Sequence, residues 1–300
     1  VEAGGDPSRT VFAGAGKTRD EISYAMQVGV HMFNVESAGE MRAINQVADA
    51  SGKRASVAIR VNPDVDPRTH AKTTTGKKEN KFGVSIPAAR ELARDSLGMT
   101  SVTLKGLHVH LGSPIYSTEP YERALEKICS FVEDQRDRGH TLDTLNLGGG
   151  YAISYSGEEV VGPAEYAEAV APYLDELGCH LKLEPGRYVA GNSGILLTGV
   201  TYRKETEHGK KFLICDAGMN DLLRPTLYDA FHGIWPADSP RGMPEVMGPD
   251  AESYEGFETE IADVVGPVCE SGDYLGRDMP LPTVEAGQVL AVFGVGAYGF

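Results

Sequence analysis

Between residue 1 and about residue 192, short apolar runs alternate with longer segments whose apolar positions recur every three or four residues. The short runs, 10–14, 32–35, 56–61, 104–111, 144–147 and 181–184, predict six strands. In the last of them Leu181 and Leu183 face one way, as in a short buried strand, and Glu184 stands at the carboxyl end. Between the runs the spacing predicts helices such as 19–27, with Thr18 as its cap, and 39–50, entered through Ser37. Strict alternation of this kind predicts a parallel sheet with helical crossovers, and in a TIM-like α/β barrel eight such units close on themselves. Only six are countable, and six strands would leave two bare parallel edges. Two further units are therefore expected upstream of Val1. A cut C-terminus is expected too, since Phe300 falls at an apolar strand end.

Beyond residue 192 the periodicity changes. Segments 194–206, 211–215, 230–235, 259–265 and 288–293 are β-like and joined by turns, which predicts a mostly antiparallel domain over 193–300 after a partial barrel over 1–192. The segment 236–256, rich in Pro, Gly and acid, reads as a loop, and so does the turn-rich stretch that carries Arg224 and Tyr228. Within the first domain, residues 63–83 lengthen one crossover and bring Lys72, Lys77, Lys78 and Lys81, which reads either as a solvated loop or as a functional one.

Composition narrows the class. With 41% hydrophobic and 8% aromatic residues the chain reads as globular, and no apolar run approaches the roughly 18 residues of a membrane span. A formal charge of −15 argues against nucleic acid bound over a broad surface, though local donors could still take a small anion. Cys129, Cys179, Cys215 and Cys269 are scattered without a C-x-x-C pair, as in a cytoplasmic protein with reduced thiols, and nothing at Val1 resembles a secretory leader.

Each predicted strand ends in residues unusual for plain packing: Gly14-Ala15-Gly16-Lys17, Glu36-Ser37, Arg60-Val61-Asn62-Pro63, His108 to Ser113, Asn146 to Gly150, and Glu184-Pro185-Gly186-Arg187. Polar and glycine-rich residues at the same end of successive strands are what the active face of a barrel needs. Glu184 and Arg187 on one turn suit a ligand with a cationic ring and a phosphate, or else form a strand-end salt bridge. Gly148-Gly149-Gly150 lets backbone N–H groups approach an anion, or is a plain turn. His108 and His110 project to the same strand face. They could hold a metal with Glu184 as third ligand, lie against a flat cofactor, or be core histidines. In the second domain Cys269-Glu270 places a thiol beside a carboxylate in a Gly-containing turn, suited to proton donation and cation binding or to a bare surface turn. Arg224 suits a substrate carboxylate, because its fork matches two oxygens.

As an ordered set these stretches, with Val11-Phe12-Ala13-Gly14, Phe33-Asn34-Val35-Glu36-Ser37, Glu79-Asn80-Lys81-Phe82-Gly83, Asp216-Ala217-Gly218-Met219-Asn220-Asp221, Cys269-Glu270-Ser271-Gly272-Asp273 and Gly296-Ala297-Tyr298-Gly299-Phe300, resemble the diaminopimelate decarboxylases among the fold-type III pyridoxal-phosphate enzymes. The resemblance implies decarboxylation of meso-diaminopimelate to L-lysine, with another basic amino acid as the alternative substrate, and pyridoxal 5'-phosphate as cofactor. Glu184 would bind the pyridine nitrogen and His110 would stack on the ring. Ser113, Gly149, Gly150, Gly186, Arg187 and Tyr298 would hold the phosphate. Arg187, Arg224, Tyr228, Glu270 and Tyr298 would read the substrate, and Cys269 would reprotonate the carbanion left by carbon dioxide. The family is a homodimer in which Cys269 and Glu270 serve the partner's site. Its Schiff-base lysine belongs to a Tyr-x-x-Lys-Ala-like motif in the first barrel strand, which is not among these residues, and Lys17 is no substitute for it. That gap motivates a rival reading, a non-catalytic cofactor-binding homologue.

Overall fold

The computed structural model describes residues 1–66 and 81–299, so Lys72, Lys77, Lys78, Glu79, Asn80 and Phe300 lie outside the described residues. Contacts divide the chain into two compact units, residues 1–150 with 161–184, and residues 151–160 with 185–300.

The first unit is a parallel half-barrel of TIM type. Its elements are β1 (Val11–Phe12), α1 (Arg19–Val28), β2 (Met32–Val35), α2 (Ala38–Ala50), β3 (Ala55–Asn62), β4 (Val84–Ser85), α3 (Ile86–Ser96), β5 (Val102–His108), α4 (Glu119–Asp137), β6 (Thr144–Asn146), α5 (Pro163–Leu177) and β7 (His180–Lys182). The strands pair in the order β1-β2-β3-β5-β6-β7, with β4 joined to the end of β3. The six expected strands are all present, and β4 is an addition. Local chemistry sets the helix starts. Thr18 and Glu21 close a capping box on α1, while Ser37 and Ser85 accept the N3 amide of α2 and α3. Ile22, Met41, Ile44, Val57, Ile59, Leu107, Leu125, Ile128 and Phe131 are fully or almost fully buried and form the sandwich between sheet and helices.

One expectation fails here. Leu181 and Leu183 are 37% and 47% exposed, not buried. The strand they frame is the outermost of the sheet and bonds only to β6 among the described residues, so one flank is shielded and the other is not.

The second unit contains a six-stranded mixed sheet, mostly antiparallel, in the order β10-β13-β8-β9-β11-β12. Its elements are α6 (Gly186–Ala190), β8 (Leu196–Glu205), β9 (Lys211–Cys215), α7 (Arg224–Tyr228), β10 (Ile234–Pro236), β11 (Glu260–Val265), β12 (Tyr274–Leu281) and β13 (Val289–Val292). Only β9 and β11 run parallel. The core is built on Trp235, which stacks on Tyr254 at 5.8 Å and meets Phe257 edge-on at 5.1 Å. Three expectations need correction. Residues 230–233 precede β10 and are not strand, because only 234–236 pair with β13. Residues 224–228 form a helical turn, not a loop, since Pro225 is tolerated at a helix start and Asp229 ends the turn at φ 50°. The strand β12 was not foreseen, because Arg277-Asp278 interrupts its apolar alternation. Among the described residues, no helix is long and apolar enough to cross a membrane.

Close strand approach can be tested at Gly106, whose partner in β6 is Thr144. A Cβ there would stand 2.2 Å from the Thr144 carbonyl oxygen. Gly106→Ala is expected to cost about 2–3 kcal/mol by overpacking. A urea midpoint equal to that of the parent would show that the strands do not approach so closely.

Candidate active site

At the carboxyl ends of the parallel strands, the glycines 148–150 leave no room for side chains. A Cβ on Gly149 would lie 2.2 Å from the Glu184 carbonyl oxygen, and one on Gly150 would lie 2.3 Å from that of Gly112. Gly148 and Gly150 also adopt φ of 65° and 109°, the left-handed region open to glycine. The segment is then tied down by its own backbone. Tyr121 donates its hydroxyl to the Gly149 carbonyl at 2.8 Å, the Ile115 amide donates to the Gly150 carbonyl at 2.7 Å, and the Glu184 amide donates to the Gly148 carbonyl at 2.7 Å.

This packing aims two side chains. The Gly149 amide donates to His110 Nδ1 at 3.0 Å, so in the neutral ring the proton sits on Nε2. Burial, with the nearby Arg60 charge, pushes the His110 imidazole down to about 4. Glu184 receives Asn34 Nδ2 at 3.0 Å and Asn146 Nδ2 at 2.8 Å, both on Oε1. The Asn146 amide orientation is fixed independently, because its Oδ1 accepts the Gly148 N–H at 2.8 Å. Among the described residues no donor reaches the other oxygen, Oε2, and the side chain is one-third exposed.

His108 Nε2 lies 3.5 Å from the same Oε1. It is no ion pair: burial, with Arg60, His110 and Lys17 acting in the same direction, holds His108 well below the usual histidine range. Both of its ring nitrogens, Asn34 Oδ1, Arg60 Nε and Asn62 Oδ1 are buried without a partner among the described residues. Buried polar atoms are normally satisfied, so such a cluster at one mouth marks a place built for something other than packing. Around it, Arg60 bonds Glu36 at 2.7 Å, and Glu36 accepts the Gly83 amide at 2.8 Å. Lys17, its side chain buried, is engaged by the Gly14 and Asn34 carbonyls and by Glu40 at 2.6–2.7 Å. Burial raises the Glu40 carboxyl despite that lysine.

In the second unit, Arg187, Arg224 and Tyr298 gather around a residue that sequence reasoning passed over, Tyr155. Arg187 donates to the Tyr155 hydroxyl at 2.7 Å and lies 4.8 Å from the Tyr298 ring centroid. Arg224 lies 4.2 Å over the Tyr155 ring and bonds His232 Nε2 at 2.7 Å. Gly186 is beside the Tyr298 hydroxyl: a Cβ there would stand 3.6 Å away. Tyr228 closes the same helical turn that Arg224 opens.

Cys269 and Glu270 sit apart on an exposed turn and share no described contact with that group. Their turn is anchored by the buried Asp273, which accepts the Met219 and Val268 amides at 2.6 Å each, and by Thr226, which donates to the Gly272 carbonyl at 2.5 Å. Of the other thiols, burial raises Cys129 to about 11 and Cys215 to about 12. Among the described residues no group of three or more His, Cys, Asp or Glu could hold a metal, and His110 Nδ1 is already occupied by the Gly149 amide.

Asn34, Asn146, Tyr155, His232 and Asp273 were given no role from sequence. Asn34 and Asn146 were visible within motif strings at the strand ends, whereas nothing local marked Tyr155 or His232.

Comparison with known proteins places these features in context. Residues 1–191 match the family described as pyridoxal-dependent decarboxylase, pyridoxal binding domain. The whole chain is 40% identical to a diaminopimelate decarboxylase of Aquifex aeolicus and 42% identical to one of Pseudomonas aeruginosa, in each case covering 68% of the relative. A solved diaminopimelate decarboxylase from Helicobacter pylori complexed with L-lysine matches with a TM-score of 0.90 at 37% identity, over 99% of this chain and 71% of that one.

The neutral imidazoles give the first unit a pH signature. Unfolding returns His110 from about 4 to about 6.5, so between those values the unfolded chain binds more protons. The contribution is therefore intact above pH 6.5 and is lost, to about 3 kcal/mol, as pH falls toward 4. Urea midpoints should drop between pH 7 and 4.5, and less so in His110→Asn. Level midpoints would contradict the neutral ring.

Proposed function

Because the chain belongs to the diaminopimelate decarboxylases, within the pyridoxal-dependent decarboxylases, we propose that it removes one carboxylate of meso-diaminopimelate as carbon dioxide and yields L-lysine. The observation that carries this reading is the Glu184 carboxylate, clamped on one oxygen by two asparagine amides with the other oxygen unclaimed among the described residues. An oriented carboxylate with an open acceptor fits a protonated pyridine nitrogen. The neutral, glycine-pinned His110 fits a flat ring, and the polar atoms of His108, Asn34, Arg60 and Asn62 that have no partner among the described residues fit a polar guest.

In the first unit Glu184 and His110 would hold the cofactor's ring, and Ser113, Gly149 and Gly150 its phosphate. In the second, Gly186, Arg187 and Tyr298 are assigned to phosphate, and Arg187, Arg224, Tyr228, Glu270 and Tyr298 to substrate. Bound pyridoxal phosphate supplies the electron sink for the pair released when a carboxylate leaves. Glu184 keeps a proton at the ring nitrogen. Arg224 and Glu270 favour a substrate whose far end carries both a carboxylate and an ammonium, because a guanidinium repels a bare ammonium. Cys269 Sγ delivers the proton that replaces carbon dioxide, and its exposed turn suits donation to a second subunit of a homodimer. A cytoplasmic setting agrees with thiols that are all unpaired.

Incubating the full-length, cofactor-loaded form, which the missing Schiff-base lysine makes the form to test, with meso-diaminopimelate should produce lysine. Consumption of ornithine or arginine with no lysine formed from diaminopimelate would overturn the substrate assignment. Cys269→Ala should lower kcat by about 10²–10⁴ with an unchanged melting temperature, as expected for a lost proton donor at an exposed position. An unaltered kcat would move that role elsewhere.

A further inference from the structure

Two buried guanidiniums and a buried imidazole share one phenol in the second unit. Arg187 and Arg224 are only 7% and 8% exposed, and His232 is 1% exposed. The roles of the His232 nitrogens follow from their partners. An arginine Nη1 can only donate, so Nε2, 2.7 Å away, accepts; the Phe293 carbonyl can only accept, so Nδ1, 2.8 Å away, carries the proton. The ring is therefore neutral in this arrangement. Burial, with Arg224 and Arg187 adding to it, pushes His232 down to about 4 against the opposing pull of the Phe293 carbonyl.

The imidazole is itself held on a backbone clamp. The Phe293 amide donates to the Gly233 carbonyl at 2.9 Å while His232 bonds the Phe293 carbonyl, so residues 232–233 and 293 are locked edge to edge. The ring also meets Tyr155 edge-on, with centroids 5.4 Å apart at 80°. Arg224 is thus held at two points, by an acceptor at one Nη and by an aromatic ring whose centroid lies 4.2 Å from its Cζ. The same phenol accepts a hydrogen bond from Arg187. The imidazole and the phenol are both uncharged, so these two contacts orient the fork.

We propose that His232 is a positioning residue that sets the direction in which Arg224 presents its guanidinium, and so governs recognition of an amino-acid carboxylate at the substrate end remote from the reacting carbon. This rests on the reading of Arg224 as the group that binds that carboxylate. Free arginine side chains sample many rotamers, and fixing one in advance spares that entropy on binding. The hydrophobic packing of a histidine would serve any ligand alike. Orientation of the fork serves only ligands that carry the carboxylate.

L-Lysine and cadaverine separate the two cases, since both carry the terminal amine of the reacting end and only lysine keeps the carboxylate. Both are to be measured as competitive inhibitors of the holoenzyme and of H232L, H232Q and R224Q. In H232L the affinity for lysine should fall about 10- to 100-fold, the range for losing a well-placed hydrogen bond to a charged group, with cadaverine unchanged. H232Q, whose amide oxygen replaces Nε2 as acceptor, should recover part of the loss. Equal losses for both ligands, or none for lysine, in H232L would overturn the proposal while a loss of lysine affinity in R224Q left the reading of Arg224 standing. An R224Q enzyme that binds lysine as well as the parent would remove that reading and the proposal with it. Should H232L not fold, nitrogen NMR of the parent decides: a bare Nε2 at pH 7 supports the assignment, and a protonated one overturns it.

Discussion

The first unit depends on three consecutive residues having no side chain. Where 148–150 pass the carbonyls of Val109, Gly112 and Glu184, a single methyl at any of the three positions would stand 2.2–2.6 Å from a backbone oxygen. That contact makes the Gly149 amide a donor to His110 and lets the Glu184 amide reach the Gly148 carbonyl. The imidazole is thereby aimed by backbone, and the same segment holds the Glu184 backbone 74 residues further on, whose carboxylate the Asn34 and Asn146 amides then orient.

Both units solve a related electrostatic problem in the same way. In each, buried histidines stay neutral close to a buried guanidinium, Arg60 paired with Glu36 in the first unit and Arg224 bonded to His232 in the second. Near Arg60 two histidines are kept uncharged by burial, and near Arg224 a third is. A charged ring in either place would add repulsion beside a buried positive group. The cost is acid sensitivity, because each neutral ring is a proton acceptor once the chain opens.

Much of this was legible in the sequence, and the rest fails for identifiable reasons. The alternation over 10–184 revealed the parallel sheet because each strand is short, apolar and followed by a capped helix, as at Thr18 and Ser37. The strand ends carrying His110, Gly149, Gly150 and Glu184 were readable as one face, since a parallel sheet puts all such ends on the same side. Leu181 and Leu183 misled because alternation signals a strand but not its neighbours, and β7 lies outermost. The Arg277-Asp278 pair hid β12 in the same way that Pro225 hid α7: local residue preference was overruled by tertiary packing. Tyr155 and His232 were invisible because their importance lies in partners 32 to 77 and 8 to 77 residues away, with no spacing to betray them.

The buried lysine at position 17 reaches further than its own loop. Its ammonium gathers the Gly14 and Asn34 carbonyls and the Glu40 carboxylate, and Asn34 in turn extends its side-chain amide to Glu184. Helix start, sheet margin and the Glu184 carboxylate are therefore links of one mechanical linkage. Thermal robustness and the direction of that carboxylate cannot be tuned separately there, and selection acting on either acts on both.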